Sequence, residues 1–317
     1  MQNCHQVSVI ILSYNPKIEK MCRTIRSIIG QKNINFEVVV SDDGSTLPEF
    51  DKIEHFFYEN NFKNYKIVKN KKNEGTVKNC LAGLQYATGE YIFLTSAGDM
   101  LYDQNTLRDF YVFSKKKKTK VCFGDVIYYS YDKKEIKIHD VIGRPARPQL
   151  YLDNYSFLNQ KVEFFYEDMI LGAAFFRERE FAKKYFQKIE KSSKYVEDGT
   201  STLYALADNI KIEYYNRNIV WYEYGSGVST GKNKKWLDLL KDDYDNTFIE
   251  LKKKYPKDAV VDAGYMRRFY NKTLIEKLIR LIRHPLIAFI HFKNKRIPLS
   301  MSGKVEYDRN ILNNLLL

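Results

Sequence analysis

Three clusters in the N-terminal third of the chain carry the residue types that chemistry needs: Ser13-Tyr14-Asn15, Asp42-Asp43-Gly44-Ser45 and Ser96-Ala97-Gly98-Asp99. Each follows directly on an apolar run: V-S-V-I-I-L, F-E-V-V-V-S and Y-I-F-L-T. Continuous apolar runs that stop in polar residues are the pattern of strands buried in a parallel sheet. Open α/β sheets hold their ligands beyond the carboxyl ends of such strands, so the three clusters should face one crevice. Asp42 or Asp43, ending the second strand, suits hydrogen bonding to a base or a ribose hydroxyl. Asp99 stands where a metal-bound diphosphate would need two or three carboxylates, and it stands alone. The first strand-to-helix turn lacks G-x-G-x-x-G, and no G-x-x-x-x-G-K-[ST] occurs, which sets aside a dinucleotide dehydrogenase and a P-loop NTPase. A further acidic pair, Glu197-Asp198, reads either as a helix N-terminus with an acidic first turn or as a general base. Glu167-Asp168 is its rival in the same half of the chain.

The elements that must position these clusters alternate. Strand 7–13 is followed by a helix with Ile18, Met21, Cys22, Ile25, Ile28 and Ile29 at helical spacing. Strand 36–42, helix 47–60, strand 65–68, helix 76–87 and strand 91–95 complete a β-α-β-α-β-α-β series, which predicts a parallel sheet with helices on both faces. A helix near 104–114, a lysine run 115–118 reading as a solvated helix end, and a strand 120–129 come next. Residues 133–167 lose the pattern, with dense aromatics and Pro145 and Pro148, as in a lid or partner-binding segment. Residues 171–177 read as a strand opening a helix to 191, and 210–215 and 219–224 as two short strands. The glycine-rich 225–231 reads as a hinge, and 236–255 and 266–283 as helices.

Composition bounds the classes. The chain has 317 residues, 44% hydrophobic and 15% aromatic, enough for one large domain or one domain with an extension. Cys4, Cys22, Cys80 and Cys122 show no C-x-x-C spacing and read as buried free thiols in a reducing cytoplasm. His5, His55, His139, His284 and His291 form no ligand spacing. No signal-peptide pattern and no apolar run of about 18 residues is present. The net charge is +13. It is concentrated in 251–296, where 13 Lys/Arg face three acids. A binding groove for nucleic acid along the whole chain is therefore not expected.

The ordered set V-S-V-I-I-L-S-Y-N, V-V-V-S-D-D-G-S-T, N-E-G-T-V-K-N-C-L-A-G-L and A-T-G-E-Y-I-F-L-T-S-A-G-D resembles glycosyltransferase family 2 from residue 7 to about 230. The resemblance implies a GT-A fold, Rossmann-like with a mostly parallel central sheet and helices on both faces. It also implies an inverting transferase that uses a nucleotide-diphospho-sugar, UDP-sugar favoured. Ser13, Tyr14 and Asn15 would line the nucleotide pocket, and Asp42 or Asp43 would hold uracil or ribose. Asn73 and Gly75 would shape the loop before the helix whose Lys78 and Asn79 reach the diphosphate edge. Asp99 would end the metal-binding loop for Mg²⁺ or Mn²⁺, with Ser96 or backbone making the ribose contact and Gly98 counted among the donor-binding residues. Asp198, ahead of Glu197, would be the general base. The chain departs from the family's D-x-D before that final Asp, which leaves open a nucleotide-sugar-binding protein without transfer activity.

By the same reading, residues 1–231 form the catalytic domain (nucleotide half 1–101, acceptor half 102–231) and 232–317 a helical basic extension. Within 266–296, Leu274, Ile275, Leu278, Ile279, Leu281 and Ile282 form an apolar stripe among Lys272, Lys277, Arg280 and Arg283. Such a helix either lies on an anionic membrane surface or packs on the body with its basic face in water. Nucleic acid bound by this tail is the reading from another class. The expected acceptor is a glycan or lipid-linked glycan of a surface polysaccharide.

Overall fold

The computed structural model describes residues 5–132, 135–140, 143–145, 148, 151, 156–166, 174–225, 234–295 and 306–316. Glu167-Asp168, Cys4, most of the 225–231 hinge and the first residues of the 171–177 strand lie outside them.

Strand β1 (Val7–Ser13) is the axis of a nine-stranded sheet. It pairs in parallel with β2 (Phe36–Asp42) on one side and β4 (Tyr91–Ser96) on the other, and β2 pairs in parallel with β3 (Tyr65–Lys69). Alternation along β1 divides the core. Val7, Val9 and Ile11 face α1 (Ile18–Ile29), α2 (Phe50–Glu59) and α4 (Thr106–Lys117). Ile10 faces α3 (Thr76–Leu84), α6 (Arg179–Ile189) and α7 (Glu197–Ala207). Both faces of these strands are thus dry, as their unbroken apolar runs require.

Beyond β4 the sheet turns mixed, in the order β3-β2-β1-β4-β8-β6-β9-β5. The short β5 (Met100–Leu101) pairs antiparallel with the end of β9 (Glu213–Glu223), while β8 (Phe175–Glu178) runs antiparallel between β4 and β6 (Val121–Asp132). β6 and β9 are parallel, and β7 (Glu135–Ile138) hangs on β6. The two strands expected at 210–215 and 219–224 are one strand. The register slips around Asp125, a bulge that absorbs the polar Asn216-Arg217-Asn218 without ending the pairing.

Helix α4 runs three residues past the expected end and stops at Lys118, whose φ of 50° makes it a left-handed cap after the lysine run. The helix expected over 266–283 is two, α9 (Ala259–Phe269) and α10 (Leu274–Arg283), because Thr273 and Glu276 form a capping box that starts a new helix. Helix α8 (Lys234–Lys254) and α9 share the core beneath α5 (Phe157–Phe165) through Phe248, Leu251, Val260 and Val261. Helix α11 (Pro285–Lys295) follows, and α12 (Arg309–Leu316) covers Trp221 and Tyr129 at the β5 edge.

Candidate functional site

The strand register sets Ser13 beside Asp42 at the carboxyl edge. Asp42 Oδ2 accepts from Ser13 Oγ (3.1 Å) and Ser45 Oγ (2.5 Å), and its Oδ1 accepts from the Ser45 amide (2.8 Å). Asn15, at φ 45°, donates its amide to Ser45 Oγ (2.7 Å) and accepts from the Thr46 amide at Oδ1 (2.9 Å). The loops after β1 and β2 are thereby laced into one rim, over which Tyr14 stands 48% exposed. Asp43 accepts the amides of Glu74 and Gly75, both at 2.9 Å, which bends the 70–75 loop over the same rim. Burial pushes the Asp43 carboxyl up, and these two amides pull it back. Gly75 is required there: its φ is 97°, and a Cβ would sit 2.5 Å from Lys194 Cγ.

Asn73 is exposed on that loop. Lys78 points outward, 3.6 Å from Glu74, into a groove of about 790 Å³ between α3 and α6. Asn79 is buried and spends its amide inside: Nδ2 donates to the Ser41 carbonyl (2.9 Å) and Oδ1 accepts from Ser41 Oγ (2.7 Å). It ties α3 to β2.

At the end of β4, Ser96 is exposed and Asp99 is buried. The Thr24 hydroxyl of α1 accepts the Gly98 amide (2.9 Å) and donates to the Asp99 carbonyl (2.7 Å), and Tyr129 donates to the Gly98 carbonyl (2.5 Å). Asp99 Oδ1 accepts the Glu223 amide (3.0 Å), which pins the end of β9 to this loop. Glu223 is itself buried and paired with Lys20 at 2.5 Å. Burial first, and then the Glu223 charge, push the Asp99 carboxyl up to about 7.

These residues do not build a cation cage. A hard divalent ion takes six or more oxygens. Asp99 gives one of its oxygens to an amide, Glu223 gives one to a lysine, and among the described residues no three His, Cys, Asp or Glu side chains converge.

The second acidic centre is the N-terminus of α7. Glu197 and Asp198 occupy its first turn, where the helix dipole favours negative charge. The turn before it is held from α8. Asp243 Oδ2 accepts the amides of Lys194 (2.9 Å), Tyr195 (2.5 Å) and Val196 (3.0 Å) and the Ser193 hydroxyl (3.1 Å). Burial pushes both carboxyls of the pair up, Glu197 to about 8 with the Asp198 charge adding to it. The Gly199 amide (2.6 Å) and the charge of Arg177 favour ionised Asp198. Glu197 and Asp198 therefore titrate as one coupled pair, raised by burial, in which the Gly199 amide favours charge on Asp198. Arg177 is 2% exposed on β8, its guanidinium 4.3 Å from the Phe175 ring centroid.

Tyr128 joins the two halves: burial pushes its phenol up to about 12, and the charges of Asp99 and Asp198 both act on it. Of the residues singled out from sequence, Ser13, Tyr14, Asn15, Asp42, Asp43, Gly75, Ser96, Gly98 and Asp99 gather along the rim, and Glu197 and Asp198 form the separate buried pair of α7. Lys78 pairs with Glu74 of the loop over the rim, and Asn79 is buried against Ser41. Sequence reasoning passed over Lys20, Glu223, Arg177 and Asp243. Only Glu223 carried a signal, a carboxylate within W-Y-E-Y at a strand end.

The site therefore consists of a rim of carboxylates and hydroxyls at the carboxyl edge of a doubly covered sheet and a buried acidic pair at a helix start. The chain matches the model of "Glycosyl transferase family 2" over residues 8–186, more than half its length, and belongs to that family. It is 35% identical over 106 residues to an uncharacterized glycosyltransferase of Haemophilus influenzae, covering 32% of this chain and 30% of that protein. It is 27% identical over 129 residues to the glycosyltransferase GlyG of Streptococcus pneumoniae, covering 41% of each. These matches span less than half the length of either relative. Among solved structures, S. aureus TarS 1–349 in complex with UDP-GlcNAc superposes with a TM-score of 0.59 at 18% identity, covering 91% of this chain and 88% of that one. The fold is GT-A.

Proposed function

We propose that the chain transfers a sugar from a UDP-sugar to a hydroxyl of a glycan or lipid-linked glycan, with inversion, in the assembly of a surface polysaccharide. The observation that carries this reading is the meeting of the β1, β2 and β4 strand ends at one edge of the sheet, where Ser13, Asp42 and the Ser96–Asp99 loop lie side by side. UDP as the nucleotide is supported by the TarS complex, whose structure holds UDP-GlcNAc.

In this scheme the Asp42–Ser13–Ser45 rim and Tyr14 hold the nucleoside. The acceptor oxygen attacks the anomeric carbon, the bond to the diphosphate oxygen breaks on the opposite face, and the acceptor proton passes to the Asp198 carboxylate. The charge of buried Arg177 and the Gly199 amide favour the ionised form of that carboxylate. Lys20, a fifth exposed beside Glu223, is a cation near the diphosphate edge.

The single carboxylate of the β4 loop favours a second reading, a nucleotide-sugar binder that performs no transfer. A thermal-shift screen of UDP-, GDP- and dTDP-sugars, followed by turnover with and without EDTA, separates the two. Stabilisation by a UDP-sugar with UDP release supports transfer. Stabilisation without release under any condition supports the binder, and no stabilisation by any donor contradicts both.

A further inference from the structure

We propose that helices α10 and α11 form a docking face for an anionic phospholipid membrane, on which the protein lies without crossing it. No helix among the described residues is long and apolar enough to cross.

The orientation of α10 carries this inference. At 100° per residue, Leu274, Ile275, Leu278, Ile279, Leu281 and Ile282 fill an arc of about 160°, and Glu276, Lys277, Arg280 and Arg283 the opposite one. An amphipathic helix packed on a soluble protein turns its apolar arc inward. Here it is reversed: none of the ten residues of α10 is buried, and the six apolar ones are 46–79% exposed. Two residues of the polar arc, Arg280 and Arg283, reach the body instead. Arg283 Nε lies 2.9 Å from Asp262 Oδ2, and the Arg280 guanidinium lies 5.8 Å from the Tyr166 ring centroid.

Helix α11 continues the surface. Ile287 and Ile290 anchor it in the core, while Leu286, Phe289 and Phe292, one helical turn apart, are 57–63% exposed. The Thr273–Glu276 capping box holds α10 helical without help from burial, so the face is formed before it meets its partner. Nine large apolar side chains left exposed on two successive helices mark an interaction face.

Charge identifies that partner. Residues 251–296 carry 13 Lys/Arg against three acids, and Lys272 and Lys277 flank the apolar arc in the open. Aliphatic and aromatic side chains entering the acyl boundary, bordered by lysines at headgroup level, are the recognition chemistry of an anionic bilayer. A protein partner with an apolar groove would not need the cationic border. Docking and sugar transfer are separable properties: the face lies on α10 and α11, outside the donor rim, so either can fail alone.

The full-length protein, floated with phosphatidylcholine vesicles with and without phosphatidylglycerol, tests this. Binding is expected to anionic vesicles, with about fivefold loss for each of Lys272→Gln and Lys277→Gln (about 1 kcal/mol per charge). Ile275→Ser/Leu278→Ser/Ile282→Ser should abolish binding while Tm and UDP-sugar turnover stay unchanged, since these side chains touch no core. No binding to anionic vesicles overturns the proposal, as does binding that survives the triple substitution. A dimer in solution that the triple substitution splits, with no vesicle binding, assigns the face to a second copy instead.

Discussion

Asp243 is the prediction in which the fold and the proposed chemistry are most tightly joined. One carboxylate oxygen collects three consecutive backbone amides, of Lys194, Tyr195 and Val196, together with the Ser193 hydroxyl. These are the residues that aim the first turn of α7, and with it Asp198. Hydrogen bonds to a charged group contribute about 1.5–3 kcal/mol each, against about 1 for a neutral acceptor. Four donors crowd one oxygen, so the contributions are not additive. Asp243→Asn, which keeps an acceptor and loses the charge, should cost about 3 kcal/mol, and Asp243→Ala about 4–5 kcal/mol as buried amides lose their acceptor. Urea denaturation with an unchanged m-value reads the first quantity. The second readout is kinetic: in Asp243→Asn, kcat should fall at least about tenfold while UDP affinity stays within about twofold, because the clamp acts on the base side of the cleft and not on the nucleotide rim. A stability loss under about 1 kcal/mol would show that the nest is not a stabilising clamp. Equal loss of UDP affinity and turnover would show that its effect is not local to α7.

Two further predictions follow from the same site. Gly98→Ala places a Cβ 2.3 Å from Glu223 Oε2 on a backbone at φ 109°. It should destabilise the protein by about 2–3 kcal/mol and release the Lys20–Glu223 pair, seen as a lower denaturation midpoint; an unchanged midpoint contradicts the packing described. Glu197 has its carboxyl pushed up to about 8 by burial, so it binds a proton more tightly folded than unfolded. Its contribution to stability is complete below the ordinary carboxylate range and is lost as pH rises through about 8. Glu197→Gln should flatten that fall in denaturation midpoints measured from mildly acidic pH up to about 8; an identical slope in both proteins refutes it.

The first half of the fold was legible because each element there obeys one local rule. Unbroken apolar runs announced β1, β2 and β4, and the stops at Ser13, Asp42 and Ser96 placed the rim. Legibility failed where tertiary contacts override the local pattern. β9 stays one strand through Asn216-Arg217-Asn218 because the bulge opposite Asp125 accommodates them, which no window of sequence displays. The antiparallel β8 and two-residue β5 exist only through partners remote in sequence. The break between α9 and α10 was readable, since T-x-x-E is a capping box, but the apolar period ran across it and masked the stop. Asn79 shows the limit at the site: its place beside Lys78 on α3 was evident, yet its inward rotation onto Ser41 depends on helix-to-sheet packing. Asp243 had no signal at all, being one acid in a solvated-looking helix.

The central claim is that Asp198 is the ionised base opposite a nucleotide-sugar rim. Steady-state transfer by Asp198→Asn, measured beside its UDP affinity, tests it most directly. The account predicts turnover reduced by about 10²-fold or more, with UDP bound as in the parent protein. Turnover retained near the parent level, or UDP binding lost together with turnover, would contradict it.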